Sequence, residues 1–125
     1  WEVEPAGLVE VLKRVHEDYA PTSLFLTENG ASYDDRVEED GSIHDSCRRE
    51  FLARHVSAVH QALTAGVPVN GYFVWSLLDN FEWAEGYTRR FGIVHVDFAT
   101  QSRRLKDSGR WYRDFLAARV PAVVS

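Results

Sequence analysis

Apolar residues recur at helical spacing three times along the chain, separated by two short runs that are apolar on both faces. Leu8, Val11, Leu12, Val15 and Tyr19 follow Pro5 in the rhythm of one helix face. Pro5 suits an opening turn, where the missing N–H would have no helical partner anyway, and Pro21 closes the segment. Ser23-Leu24-Phe25-Leu26-Thr27 is continuous and rich in strand formers, which predicts a buried, parallel strand stopped by Gly30. Residues 31–45 are acidic and polar, with Asp34-Asp35 and Glu38-Glu39-Asp40-Gly41, and read as a solvated loop. Asp45 is placed to cap a second helix, whose stripe is Leu52, His55, Val56, Val59 and Leu63, with Gly66 and Pro68 as its stop. Gly71-Tyr72-Phe73-Val74-Trp75-Ser76 predicts the second buried strand, and a long loop follows to about Arg90. Residues 92–98 alternate and predict a short strand or extended return. Asp107-Ser108 then caps a last helix carrying Trp111, Tyr112, Phe115 and Leu116 on one side.

The order helix, strand, helix, strand, extended piece, helix implies an α/β fold with parallel strands joined by crossover helices. No internal repeat or low-complexity segment interrupts it. Two strands make a poor parallel sheet by themselves, because each exposes an edge and a face. The chain also opens Trp1-Glu2-Val3-Glu4-Pro5 and contains no Met. Both features lead us to expect a fragment of a longer chain.

Composition narrows the classes of partner. Hydrophobic residues at 45% and charged residues at 26% exclude wholesale disorder. Fourteen Lys and Arg against nineteen Asp and Glu leave a formal charge of −5, which argues against nucleic acid as a partner. No run of about 18 apolar residues is present, so no membrane-spanning helix is expected. The single Cys47 rules out an internal disulfide and fits a reducing compartment, so a cytoplasmic location is the expectation.

In parallel α/β folds ligands gather at the carboxyl ends of the strands. Glu28 follows the first strand and Glu82 lies just beyond the second, among Trp75, Phe81, Trp83, Tyr87 and Phe91. Aromatic faces beside carboxylates suit a sugar, whose C–H faces pack on rings while its hydroxyls bond the carboxylates. A carboxylate pair is also what glycoside hydrolysis uses. Spacing alone leaves open whether Glu28 and Glu82 are that pair. A lone Glu after a strand is more often a surface residue, and a Trp within an apolar strand is more often core. His16, His44, His55, His60 and His95 lack metal-ligand spacing, so no metal is expected, and His95 reads as a packing residue. No glycine-rich phosphate loop is present, and no cofactor is expected.

Longer motifs sharpen this reading. Leu24-Phe25-Leu26-Thr27-Glu28-Asn29-Gly30-Ala31-Ser32 resembles the nucleophile signature of family 1 glycoside hydrolases, the β-glucosidase family. Gly71 to Trp83 is similar to its sugar-binding strand and loop. Gly86-Tyr87, the run Arg90 to Asp97, and Lys106-Asp107-Ser108 before Trp111-Tyr112 match the segments that follow. The resemblance implies that residues 1–125 are the C-terminal segment of a single (β/α)₈ TIM barrel: strands seven and eight with their helices. It implies Glu28 as the nucleophile, Trp75 as the platform under the glycone, Glu82 and Trp83 as partners of its outer hydroxyls, and Phe91 as a pocket wall. The family's acid/base Glu stands in an Asn-Glu-Pro motif, which does not occur in this sequence. Members acting on 6-phosphorylated sugars replace the Glu-Trp pair, whereas Glu82-Trp83 is intact here. A carboxylate repels a phosphate dianion and accepts from neutral hydroxyls. The implied substrate is therefore a non-phosphorylated β-glucoside, with β-galactoside or β-fucoside as side activities. The implied partner is the rest of the barrel, or a second copy of the chain. The rival reading is a sugar-binding or structural module without catalysis, but the intact Glu28 favours the enzyme.

Overall fold

A computed structural model describes residues 2–118. Its elements are α1 (Pro5–Tyr19), β1 (Leu24–Asn29), α2 (Ser46–Thr64), β2 (Val69–Val74), a single 3₁₀ turn (Trp83–Glu85), β3 (Val94–Val96), β4 (Arg103–Leu105) and α3 (Asp107–Ala117). β1 and β2 pair in parallel, with Leu24 opposite Val69, Leu26 opposite Tyr72 and Asn29 opposite Val74. Helix α2 makes the connection between them and packs against both α1 and α3.

The two α/β cores form on one side of this sheet. Leu12 of α1, Val59 and Ala62 of α2, Val67 just before β2 and Val69 at its start pack with Leu8, Leu24, Leu26 and Tyr72. Truncating a buried leucine such as Leu12 costs about 2–5 kcal/mol in a core of this kind. Further along, Phe51, Leu52 and Ile93 pack with Tyr33, Val74, Trp111 and Tyr112. The opposite side of the sheet is bare. Phe25 is 57% and Phe73 56% exposed, and the Phe25 ring lies where a β-carbon on Gly71 would stand. Parallel sheets are normally covered on both faces, so this one is a partial α/β unit and not a closed barrel.

Several local expectations are corrected. On α1 the buried positions are Pro5, Val9 and Leu12, while Val11 and Tyr19 of the expected stripe are exposed. Leu63 is likewise exposed at the end of α2, and Leu116 on α3. The stretch 92–98 gives only the three-residue β3, which pairs antiparallel with β4 and touches the main sheet's continuation through one parallel bridge, Leu78 to Val94. The acidic segment 31–45 is only partly solvated: Ile43 is 1% exposed, and the Asp35 side chain is buried against Arg48 and Lys106. Asp45 makes no side-chain cap on α2. Its carboxylate instead accepts from the backbone N–H and hydroxyl of Ser108, at 2.8 and 2.5 Å. It thus caps α3 from across the fold, because that helix's own N-cap residue, Lys106, has no side-chain acceptor to offer.

Candidate active site

The carboxyl ends of β1 and β2 are locked together. The Trp75 N–H donates to the Asn29 carbonyl at 3.0 Å, and a β-carbon on Gly30 would collide with the Trp75 carbonyl oxygen. Glycine at position 30 is therefore a requirement of close backbone approach. Tyr72 adds a third tie, its hydroxyl donating to Asn29 Oδ1 at 2.8 Å. Burial, helped by the neighbouring Tyr112, pushes the Tyr72 phenol pKa up, which keeps that hydroxyl a donor. Glu28 is the penultimate residue of β1, not the first residue beyond it, and it is exposed. Trp75 is half-buried one residue beyond the end of β2, and its peptide bond to Ser76 is cis.

Beyond Trp75 the chain runs out and returns as a zipped loop. Ser76 N–H donates to the Phe91 carbonyl, Ile93 N–H to Ser76, Val94 N–H to Leu77 and Asp79 N–H to Val94. Gly92 allows this closeness, since a β-carbon there would strike the Leu78–Asp79 backbone. At the tip, Glu82 N–H donates to the Gly86 carbonyl at 2.7 Å. Trp83 has a positive φ of 44° and is 85% exposed. Phe81 meets Tyr87 edge-on at 5.5 Å, Tyr87 meets Phe98 at 4.6 Å, and the Arg90 guanidinium lies 4.9 Å from the Phe98 ring centre. Phe98 is an addition to the aromatic cluster expected from sequence.

A cavity of about 460 Å³ opens between this loop and the segment after β1, lined by Gly30, Tyr33, Phe51, Glu82, Arg89 and Phe91 among others. Glu82 Oε1 is buried and has no hydrogen-bond partner among the described residues. Buried polar atoms are nearly always paired, so this oxygen is an acceptor in want of a donor. Of the five residues singled out from sequence, Glu82 and Phe91 share the cavity. Glu28, Trp75 and Trp83 do not line it.

The sequence profile of glycosyl hydrolase family 1 matches residues 1–120. The chain belongs to this family. It is 56% identical over 112 residues to β-glucosidase A of Thermotoga maritima, an alignment covering 90% of this chain and 25% of that protein. It is 54% identical over 116 residues to the 1,4-β-D-glucan glucohydrolase of Thermotoga neapolitana, covering 93% of this chain and 26% of the relative. With the bifunctional β-D-glucosidase/β-D-fucosidase of Bifidobacterium breve it shares 47% identity over 121 residues. The solved family 1 β-glucosidase of T. maritima superposes with a TM-score of 0.92 at 54% identity, over 94% of this chain and 26% of that structure. The chain thus spans about a quarter of the length of these relatives, which are TIM barrels, and the bare sheet face fits a part of such a barrel.

Within this family 1 chain the largest feature missed at the sequence level is a buried ionic network. Arg48 Nη1 binds Asp35 at 2.8 Å and Asp45 at 2.6 Å. Lys106 Nζ binds Asp35 at 2.5 Å and Asp79 at 2.8 Å, and Arg90 binds Asp79 at 2.6 Å. Three carboxylates thus face three cations. Burial alone would lower the Arg48 pKa, but Asp35 and Asp45 outweigh it and raise it. One signal was available: Arg48 continues the stripe of Leu52, His55 and Val59 one turn toward the helix start. His95, next to the network, is buried as expected, and burial, with Arg90 adding to it, holds its pKa down. On the surface His44 bridges Ser42 at 3.0 Å and Asp107 at 2.7 Å. The order Ser–His–Asp is that of acyl-transfer enzymes, but Ser42 donates its proton to Asp40 at 2.6 Å, leaving the imidazole no nucleophile to activate. Among the described residues no group of His, Cys, Asp and Glu could hold a metal ion, and no helix is long and apolar enough to cross a membrane.

Proposed function

We propose that the whole protein is a retaining β-glucosidase and that this chain supplies strands seven and eight of its barrel, with Glu28 as nucleophile. The carrying observation is the placement of Glu28: exposed at the carboxyl end of β1, inside Thr27-Glu28-Asn29-Gly30, and tied to Trp75 through Asn29. The relatives' printed activities, β-glucosidase, glucan glucohydrolase and β-fucosidase, support the reaction class and the fucoside side activity. Solved complexes of the T. maritima enzyme with deoxynojirimycin and castanospermine support a sugar-like ligand.

In this reading the Glu28 carboxylate attacks the anomeric carbon as the bond to the leaving oxygen breaks, giving a covalent glycosyl-enzyme. A proton reaches that oxygen from an acid in the rest of the barrel, because the Asn-Glu-Pro motif is absent from this sequence. Water then releases the sugar with retained configuration. Trp75 lies under the ring. The unpaired Glu82 Oε1 accepts from an outer hydroxyl, the exposed Trp83 indole N–H donates to another, and Phe91 closes one wall. A neutral β-glucoside satisfies Glu82 where a phosphate would be repelled.

In the full-length protein, Glu28→Ala is expected to abolish turnover of an aryl β-glucoside, and added azide to restore it as the inverted α-glycosyl azide. Near-normal turnover by the variant without azide would remove Glu28 from this role.

A further inference from the structure

We propose that Lys106 is a positioning residue of the sugar site, binding one carboxylate from each of the two loops that leave β1 and β2 and so fixing the loop that carries Glu82 against the segment that follows Glu28. This rests on the glycosidase reading above.

Asp35 belongs to the segment that follows Glu28, and Asp79 opens the loop that carries Glu82. The fully buried Lys106 ammonium reaches both, at 2.5 and 2.8 Å. Its backbone is fixed as well: Lys106 N–H donates to the Ile93 carbonyl at 3.1 Å, and its own carbonyl accepts from Arg110 at the start of α3. The ammonium therefore projects from an anchored point. Asp79 spends its remaining acceptor capacity on the returning half of the same loop, from Gly92 N–H at 3.0 Å, Arg90 Nη1 at 2.6 Å and Val96 N–H at 3.4 Å. It is the staple that closes the loop between Glu82 and Phe91. A second cross-link runs in parallel. Arg48 binds Asp35 through Nη1 and the Arg90 carbonyl through Nη2, at 2.7 Å. Buried charges are a poor means of gaining stability, since apolar residues of equal volume often do as well. What they provide is direction, because a carboxylate paired to an anchored cation has one place to be.

The test compares Lys106→Met with Leu12→Ala in the full-length protein. Leu12 lies in the other core cluster, away from the network. Trypsin is applied at equal offsets below each variant's Tm, and cleavage is followed after Arg36 and Arg89, which are exposed on the two loops. Lys106→Met is expected to lose protection at both sites together, and Leu12→Ala at neither. Misplacement of about 1 Å can cost 10²-fold, so kcat/KM on an aryl β-glucoside should fall by up to about that factor. The preference for the glucoside over an aryl β-xyloside, which lacks the outer hydroxymethyl, should shrink with it. Loops as protected in Lys106→Met as in Leu12→Ala overturn the proposal, and so does an unchanged glucoside-to-xyloside ratio. If Lys106→Met does not fold, Asp35→Asn, which frees one anchor of the ammonium, carries the same measurements. Absence of aryl β-glucoside turnover by the unmutated full-length protein would instead sink the glycosidase reading, while the paired cleavage rates still decide whether Lys106 couples the loops.

Discussion

Glu82 and Trp75 show how much a single side chain says once its surroundings are known. In the sequence each had a bland explanation, a surface carboxylate and a core indole. The Glu82 carboxylate instead has one buried oxygen without a donor, a state that costs free energy unless a ligand completes it. Trp75 is half-buried, with its backbone clamped by Asn29 and Gly30. Hydroxyl contacts that tighten as the ring distorts act on the transition state more than on the ground state. Glu82→Ala is therefore expected to raise KM and lower kcat of the full-length enzyme on an aryl β-glucoside, and Trp75→Ala to do the same more mildly. Steady-state kinetics showing both variants unchanged would return these residues to a structural role. The position of Glu28 near a strand's carboxyl end was legible because it depends on a local run of strand formers stopped by Gly30. The buried Asp35, Asp79 and Lys106 were not, because a charged residue reads as solvent-facing until its partners, far away in sequence, are brought to it.

Among the elements, the long ones were legible and the short ones were not. Helices α1 and α2 have several positions at helical spacing, and strands β1 and β2 contain continuous apolar runs. The β3–β4 hairpin has three residues a side, and Arg103-Arg104-Leu105 carries no strand pattern. The burial of Ile43 within an acidic stretch likewise comes from tertiary contacts: its carbonyl accepts the Asp107 N–H at the start of α3. The same junction holds an exposed electrostatic clip. His44 Nδ1 lies 2.7 Å from Asp107 Oδ2, and the hydrogen bond and charge of Asp107 raise the His44 pKa from 6.5. In turn the His44 bond lowers the Asp107 pKa from 3.8. A raised histidine pKa means that the contact favours the fold fully below about pH 6.5 and is lost as pH rises through the folded value. A lowered aspartate pKa means that its share is present above about pH 3.8 and is lost as pH falls through the folded value. The clip thus contributes fully between about pH 3.8 and about pH 6.5 and fades on either side as the folded pKa of Asp107 or of His44 is passed. An NMR titration of the full-length protein is expected to place the His44 midpoint above the ordinary histidine value and to show Asp107→Asn moving it back. A midpoint that ignores Asp107→Asn would mean that the pair is not formed in solution.

At the scale of the molecule, α1, α2 and α3 serve one face of a two-stranded sheet, and nothing in residues 2–118 covers the other. Phe25, Phe73 and Leu77 are each more than half exposed, and β1 and β2 each keep an unpaired edge. In the proposed barrel those edges pair with neighbouring strands and the bare face turns inward. A chain of this sequence made alone has no such cover. Exposed apolar surface and free strand edges drive association, so it is expected to aggregate or to hide that face against a second copy. Catalysis should fail for a separate reason. Retaining cleavage needs an acid about 5–5.5 Å from the nucleophile, and in the proposed reading Glu82 binds hydroxyls from a loop of its own. General acid help is worth about 10²–10⁴-fold, and positioning by the remaining strands adds to what is lost. Light scattering and an aryl β-glucoside assay on the purified 125-residue chain test both halves. Association without turnover is the expected result, with activity returning if the complementary part of the barrel is supplied in trans. A monodisperse monomer with ordinary turnover, abolished by Glu28→Ala, would force Glu82 into the role of acid and overturn the division of labour proposed between this chain and the rest of the barrel.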